Sequence, residues 1–81
     1  MSHDHRPTDP YEATRIKNAG GWVEKGRVNS DLSVSRGFGD FNYKKNKYEK
    51  KENQMVIAFP EVRKVSRKDV DFIFMGCDGV W

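Results

Sequence analysis

The sequence predicts an α+β piece of a larger domain, and three observations carry that expectation. The stretch from Asp9 to Ala19 has the start and stop signals of one helix, while apolar residues elsewhere fall in short strand-like runs. The 81 residues are 36% hydrophobic and 33% charged, which leaves little material for an independent core. Yet five Phe, three Tyr and two Trp call for a packed environment, which argues against disorder. A polar chain with the aromatic content of a folded domain fits a segment whose apolar residues pack against neighbours elsewhere in a parent fold. The polar entry and the end at Trp81, directly after an apolar run, read as truncations at both ends.

The elements follow in order. Residues 4–9 read as an irregular entry punctuated by Pro7. Asp9-Pro10-Tyr11-Glu12 then makes a helix start: Asp9 can accept from orphan N–H groups, Pro10 needs no donor there, and Glu12 can complete a capping box. Ala13 and Ile16 share one face, and Gly20-Gly21 supplies the left-handed stop. Trp22 to Arg27 has the weak alternation of a hairpin arm, and Asn29-Ser30-Asp31 reads as a tight turn. Residues 44–54 form a lysine-rich loop without periodicity. Met55 to Phe59 reads as a short extended piece closed by Pro60, and Glu61 to Val65 as an irregular strand. After a polar turn over Ser66 to Asp71, Phe72-Ile73-Phe74-Met75 has the continuous apolar pattern of a central strand buried on both faces.

Charge and targeting signals narrow the class. The net charge is +3, and the run of Lys44, Lys45, Lys47, Lys50 and Lys51 against Glu49 and Glu52 accounts for all of it. Such a loop is usually a solvated face, so no nucleic-acid partner is expected. No run suits a membrane span and no signal-peptide pattern opens the chain. The single Cys77 excludes an internal disulfide framework and points to a reducing compartment, hence a cytoplasmic or nuclear setting.

The residues with chemistry in reach are few. Cys77-Asp78-Gly79 follows the predicted buried strand, where Asp78 is held rigidly yet can face a cleft, and Gly79 allows a sharp turn beside it. A carboxylate so placed suits Mg²⁺ or Mn²⁺, although an Asp-Gly after a strand is more often an ordinary turn. His3 and His5 lack a cysteine cluster and read as solvent-facing, and Cys77 lacks a paired base and reads as a buried structural thiol. Gly37-Phe38-Gly39 lacks the lysine and spacing of a phosphate loop, so its glycines read as turn and close-packing residues. Arg36 is expected to pair with Asp40 or Asp31 rather than to meet an anionic ligand.

Five strings, DHRP, EATRIKNAGGWV, RVNSDLSVSRGFGDFNYK, PEV and DFIFMGCDGVW, stand here in the order and rough spacing of PPM-type (protein phosphatase 2C-like) metal-dependent serine/threonine phosphatases. The sequence resembles that family over nearly its whole length, the lysine-rich loop apart. The resemblance implies a fragment of a four-layer α-β-β-α sandwich with two antiparallel sheets. It makes residues 1–81 an internal to C-terminal-half portion of one such domain, truncated at both ends. It also implies hydrolysis of phosphoserine and phosphothreonine in phosphorylated protein substrates, by a water activated between two Mg²⁺ or Mn²⁺ ions, in a monomeric domain. Asp78 then matches the metal-ligating aspartate of the family motif DG-x-W-D. Arg15 falls in the region resembling the family's flap, where a part in substrate handling and a structural salt bridge both suit it. Arg36, Gly39 and Asp40 match a signature segment of architectural character.

Departures from the pattern are Arg6 for lysine, Ser30 for glycine and Gly37 for alanine. The family's upstream DGHGG motif and downstream DN ligand are missing, and the chain stops at Trp81, one position before the motif's second aspartate. No catalytic residue is therefore assigned within the chain. One carboxylate does not hold two hydrated divalent ions, so the isolated piece is expected to be inactive. A fragment of a pseudophosphatase that keeps the fold as a scaffold is the alternative. A free-standing basic module binding through Lys44 to Lys51 would leave the motif series unexplained.

Overall fold

A computed structural model describes residues 2–80, so Trp81, the aromatic of the strand-end motif, lies outside the described residues. The predicted helix is present as α1, Pro10–Asn18, with Asp9 extended ahead of it and Pro10 in its first turn. The expected capping box is not formed. Asp9 makes no side-chain cap; its Oδ2 instead accepts from the Arg6 backbone N–H at 3.4 Å and sits 3.0 Å from His3 Nε2. Glu12 is turned into the interior. The stop is as read: Gly20 (φ +94°) donates to Lys17 O and Gly21 to Ile16 O, the paired bonds of a left-handed helix terminus.

Beyond the helix, β1 (Val23–Glu24) and β2 (Arg27–Val28) form an antiparallel pair, Val23 opposite Val28 and Glu24 opposite Arg27. Lys25 and Gly26, at φ +55° and +74°, make the two-residue turn whose twist matches paired strands. A second turn follows at once, with Asn29 and Ser30 at φ +51° and +63° and Asp31 N–H donating to Val28 O at 2.9 Å. Ser30 thus occupies a left-handed position that favours glycine. Its hydroxyl donates to Glu24 Oε2 at 2.8 Å and accepts from Trp22 Nε1 at 3.1 Å, which ties the turn to the hairpin.

Ile16, Val28 and Val56 are fully buried and form the core, with Val23, Leu32, Tyr43 and Met55 packed around them. The Met55–Phe59 stretch, expected to be extended, bends at Met55 and Val56 and joins a ladder only at Ile57, in a parallel bridge with Arg36. The lysine-rich loop is more ordered than its sequence suggests. A short 3₁₀ turn at Phe41–Tyr43 leads into it and a second, Lys51–Asn53, lies within it. Gln54 is buried beneath the loop: its Nε2 donates to Asn46 O and Glu49 O, and its Oε1 accepts from Asn46 N–H. Asn46 Nδ2 in turn donates to Ala19 O at the end of α1, 2.9 Å away.

From Ala58 to Val80 every residue is exposed. The Cα radius of gyration is 14.7 Å, against about 12 Å expected of a compact chain of this length. The predicted Phe72–Met75 central strand is therefore not buried here: Phe72, Ile73 and Met75 are each more than four-fifths exposed. Among the described residues the one sheet is the β1–β2 pair, which neither pairs with nor covers this run. The Glu61–Val65 strand is absent for the same reason, whereas the polar turn appears as a 3₁₀ turn, Arg67–Asp69, capped by Ser66 Oγ. Cys77 is exposed rather than buried, since the strand that was to carry it inward has no layer to enter. The α+β character is realised as one helix on one two-stranded sheet. No helix among the described residues is long and apolar enough to cross a membrane.

Gly21 marks the tightest junction. A Cβ there would lie 2.8 Å from Asn29 Oδ1, 2.9 Å from Met55 Sδ and 3.1 Å from Ile16 Cγ2. In the full-length protein, Gly21→Ala is expected to lower stability by about 1–3 kcal/mol, read as a lower urea midpoint at constant slope. Gly37→Ala, facing open space, is expected to leave the midpoint nearly unchanged.

Candidate functional site

The best-organised polar centre lies on the inner face of α1. Glu12 and Arg15 are three positions apart, so the helix places them side by side, and both are buried, at 2% and 8% exposure. Arg36 reaches in from the following segment and grips the Glu12 carboxylate with two 2.8 Å bonds, Nε to Oε1 and Nη2 to Oε2. Arg15 Nη1 stands 3.0 Å from Oε1 on the other side. Ser35 Oγ lies 2.9 Å from Glu12 Oε1 and 2.8 Å from His5 O, with one proton to serve either.

The two guanidiniums also gather backbone. Arg15 donates from Nε to Gln54 O, and from Nη2 to Ser35 O and Met55 O. Arg36 Nη1 donates to Phe59 O at 3.1 Å. Three chain segments are thereby fastened to one helix. Arg36 was expected to pair with Asp31 or Asp40; Glu12 takes it, because the planar fork matches a carboxylate already held rigid on a helix. Asp31 instead accepts from Tyr43 Oη at 2.6 Å, a bond that raises the Tyr43 phenol pKa.

Burial alone would raise the Glu12 pKa, but hydrogen bonds from Arg36, Ser35 and Arg15 outweigh it and lower it to about 2. The Arg36 pKa is raised by its bond to the same carboxylate. The two cations and one anion leave a local charge of +1. Arg15 and Arg36 also border an open groove with Tyr11, Thr14, Asn18 and Phe59.

Asp78 stands elsewhere, exposed in the turn closed by Val80 N–H donating to Cys77 O at 3.0 Å. That turn forms without a left-handed Gly79. No hydrogen bond or ion pair joins Asp78 to Arg15 or to another described residue. His3 is exposed beside Asp9, whereas His5 is half-buried with Nε2 3.3 Å from Glu61 Oε2, less solvent-facing than expected. Among the described residues no three His, Cys, Asp or Glu side chains converge as a metal would need. These residues by themselves do not fit a divalent ion: Asp78 offers a hard oxygen and nothing stands beside it.

Sequence reading missed the part played by Glu12 and Gln54. Glu12 lies three residues before Arg15 and four before the core residue Ile16, a spacing that sets it on the inward face, but a helix-start signal overlay it.

The family model for protein phosphatase 2C matches residues 1–81. The chain is 48% identical over 82 residues to Protein phosphatase 2C 1 of Paramecium tetraurelia, covering 100% of this chain and 27% of that protein. It is 47% identical over 83 residues to human Protein phosphatase 1G, covering 100% of this chain and 15% of that one. Among solved structures, it is similar to the crystal structure of a phosphatase from a pathogenic strain of Toxoplasma gondii, at a TM-score of 0.74 and 47% identity, over 75% of this chain and 19% of the other. The chain thus spans about a quarter of the Paramecium relative's length.

The lowered Glu12 pKa has a defined pH signature. Its stabilisation, about 3 kcal/mol, is complete above the ordinary carboxyl pKa of 4.5 and is lost as pH falls from there towards about 2. In the full-length protein, Glu12→Gln is expected to cost about 3–5 kcal/mol at pH 7, because the buried Arg15 and the part-buried Arg36 lose their counter-ion. Denaturant titrations at pH 7, 5, 4 and 3 are expected to show that penalty shrinking below pH 4.5.

Proposed function

The chain belongs to the protein phosphatase 2C family, and we propose that it is an internal to C-terminal-half portion of one such catalytic domain. The observation that carries this is the match over residues 1–81, joined to nearly half identity along the whole chain with proteins named as phosphatases. In this reading the helix and hairpin belong to a four-layer α-β-β-α sandwich. The exposed Phe72, Ile73 and Met75 are the material of a sheet completed by strands from the rest of the domain.

The complete domain hydrolyses phosphoserine and phosphothreonine in phosphorylated proteins, as a monomer of the cytoplasm or nucleus. Two Mg²⁺ or Mn²⁺ ions bound by the complete domain would supply an acidified water and charge neutralisation for the phosphate. Asp78 is the one ligand this chain would offer, and the remaining carboxylates come from other parts of the domain. Arg15 serves the flap by fastening α1 to Ser35 and Gln54, a role its buried contacts support. The 81-residue piece alone is inactive, since a single exposed carboxylate does not secure two hydrated ions.

Full-length protein assayed with a phosphothreonine peptide is expected to show Mg²⁺- or Mn²⁺-dependent release of phosphate, abolished by chelator. Asp78→Asn is expected to reduce kcat by about 100-fold or more, while the isolated 81 residues show no metal-stimulated turnover. A folded full-length protein without turnover under any of these metals would instead make the domain a pseudophosphatase scaffold.

A further inference from the structure

The lysine-rich loop has no part in the reading above, and its structure distinguishes it from a solvated tail. Gln54 and Asn46 bind its backbone from beneath and anchor it to the last turn of α1. Lys44 is folded in, donating to Gly37 O at 2.6 Å. Lys45, Lys47, Lys50 and Lys51 remain exposed, and none makes an ion pair among the described residues. The neighbouring acids form no ion pair with them: Glu49 and Glu52 line the groove beside α1, and Glu49 shares a second groove with Lys51. Four cations are therefore held on a braced backbone without an anionic partner, Lys45 Nζ donating to Asn42 Oδ1 and Lys47 Nζ standing by the Tyr48 ring, which lowers the ordering entropy of binding an anionic partner.

We infer that Lys45, Lys47, Lys50 and Lys51 form a docking surface for an acidic stretch of a protein substrate, distinct from the phosphate-hydrolysing centre. The partner's class follows from the loop's chemistry. Lysines are compact point charges without a fixed hydrogen-bonding fork, suited to carboxylates at varied positions, and a protein phosphatase meets such carboxylates on its protein substrates. Tyr48 is largely exposed beside the lysines, with Lys47 Nζ 5.6 Å from its ring centre. The four exposed lysines against Glu49 and Glu52 leave a local excess of +2, which matches a few Asp or Glu side chains.

The inference that this partner is a substrate rests on the phosphatase reading, so the test has a binding arm and a turnover arm. Full-length protein is titrated with two fluorescent phosphothreonine peptides, one flanked by five Glu and one by five Ser, at low and at high salt. The acidic peptide is expected to bind about tenfold tighter at low salt. The Lys45→Ser, Lys47→Ser, Lys50→Ser, Lys51→Ser variant and high salt should each erase that advantage. In turnover, the variant should raise KM about tenfold for the acidic peptide alone, with kcat and p-nitrophenyl phosphate hydrolysis unchanged. Equal binding of both peptides, an unaltered advantage in the variant, or tighter binding of a single-stranded oligonucleotide of equal charge would each overturn the docking surface. Absence of p-nitrophenyl phosphate hydrolysis with the binding advantage intact would overturn the phosphatase reading while leaving an acidic-peptide surface.

Discussion

Glu12 is a carboxylate removed from water, and the body of the structure is arranged around keeping it charged. A buried carboxylate without partners would be protonated or driven to the surface. Here Arg36 supplies two parallel bonds, Arg15 a third contact and Ser35 a hydroxyl. Each arginine then uses its remaining donors on carbonyls of Ser35, Gln54, Met55 and Phe59. These carbonyls belong to segments without regular ladders, whose backbone groups would otherwise be unsatisfied. One ionic centre therefore does for residues 35–59 what a sheet does in a larger fold.

That arrangement suits a chain with so small an apolar core. Ile16, Val28 and Val56 are fully buried, and the contacts around them are partly open. Polar side chains complete the framework: Gln54 supports the lysine-rich loop, Asn46 closes the end of α1, and Asn29 bonds Trp22 across the hairpin. Networks of this kind fix geometry more than they add stability, since each member must be met at the correct distance. Gly21 sits where three of these elements meet and leaves no space for a side chain.

The two candidate site residues divide along the same line. Arg15 lies inside the organised body, whereas Asp78 lies in the exposed stretch that follows Ala58. The part that holds Arg15 is fixed by its own polar centre, while the exposed stretch that holds Asp78 makes few contacts with it. The lysine loop belongs to the braced part, so its charges stand on a backbone fixed independently of that stretch.

Residue order alone determined the local features. Pro10 and Gly20-Gly21 bound the helix, Asn29-Ser30 makes a turn, and the ordered strings carry the family, because these depend on backbone preferences and pattern within a few positions. Asp78 as a ligand candidate was legible for the same reason. Tertiary structure decided the partners. Glu12 read as a cap and became the centre of a buried ion cluster, and Arg36 read as paired with Asp31 or Asp40 and found Glu12 twenty-four residues away. Gln54 gave no signal and became the support of a loop. The Phe72–Met75 run read as a buried strand, yet burial needs a second surface, which the pattern announces without supplying. A charge or an apolar face in sequence specifies what must be satisfied; only packing determines which group satisfies it.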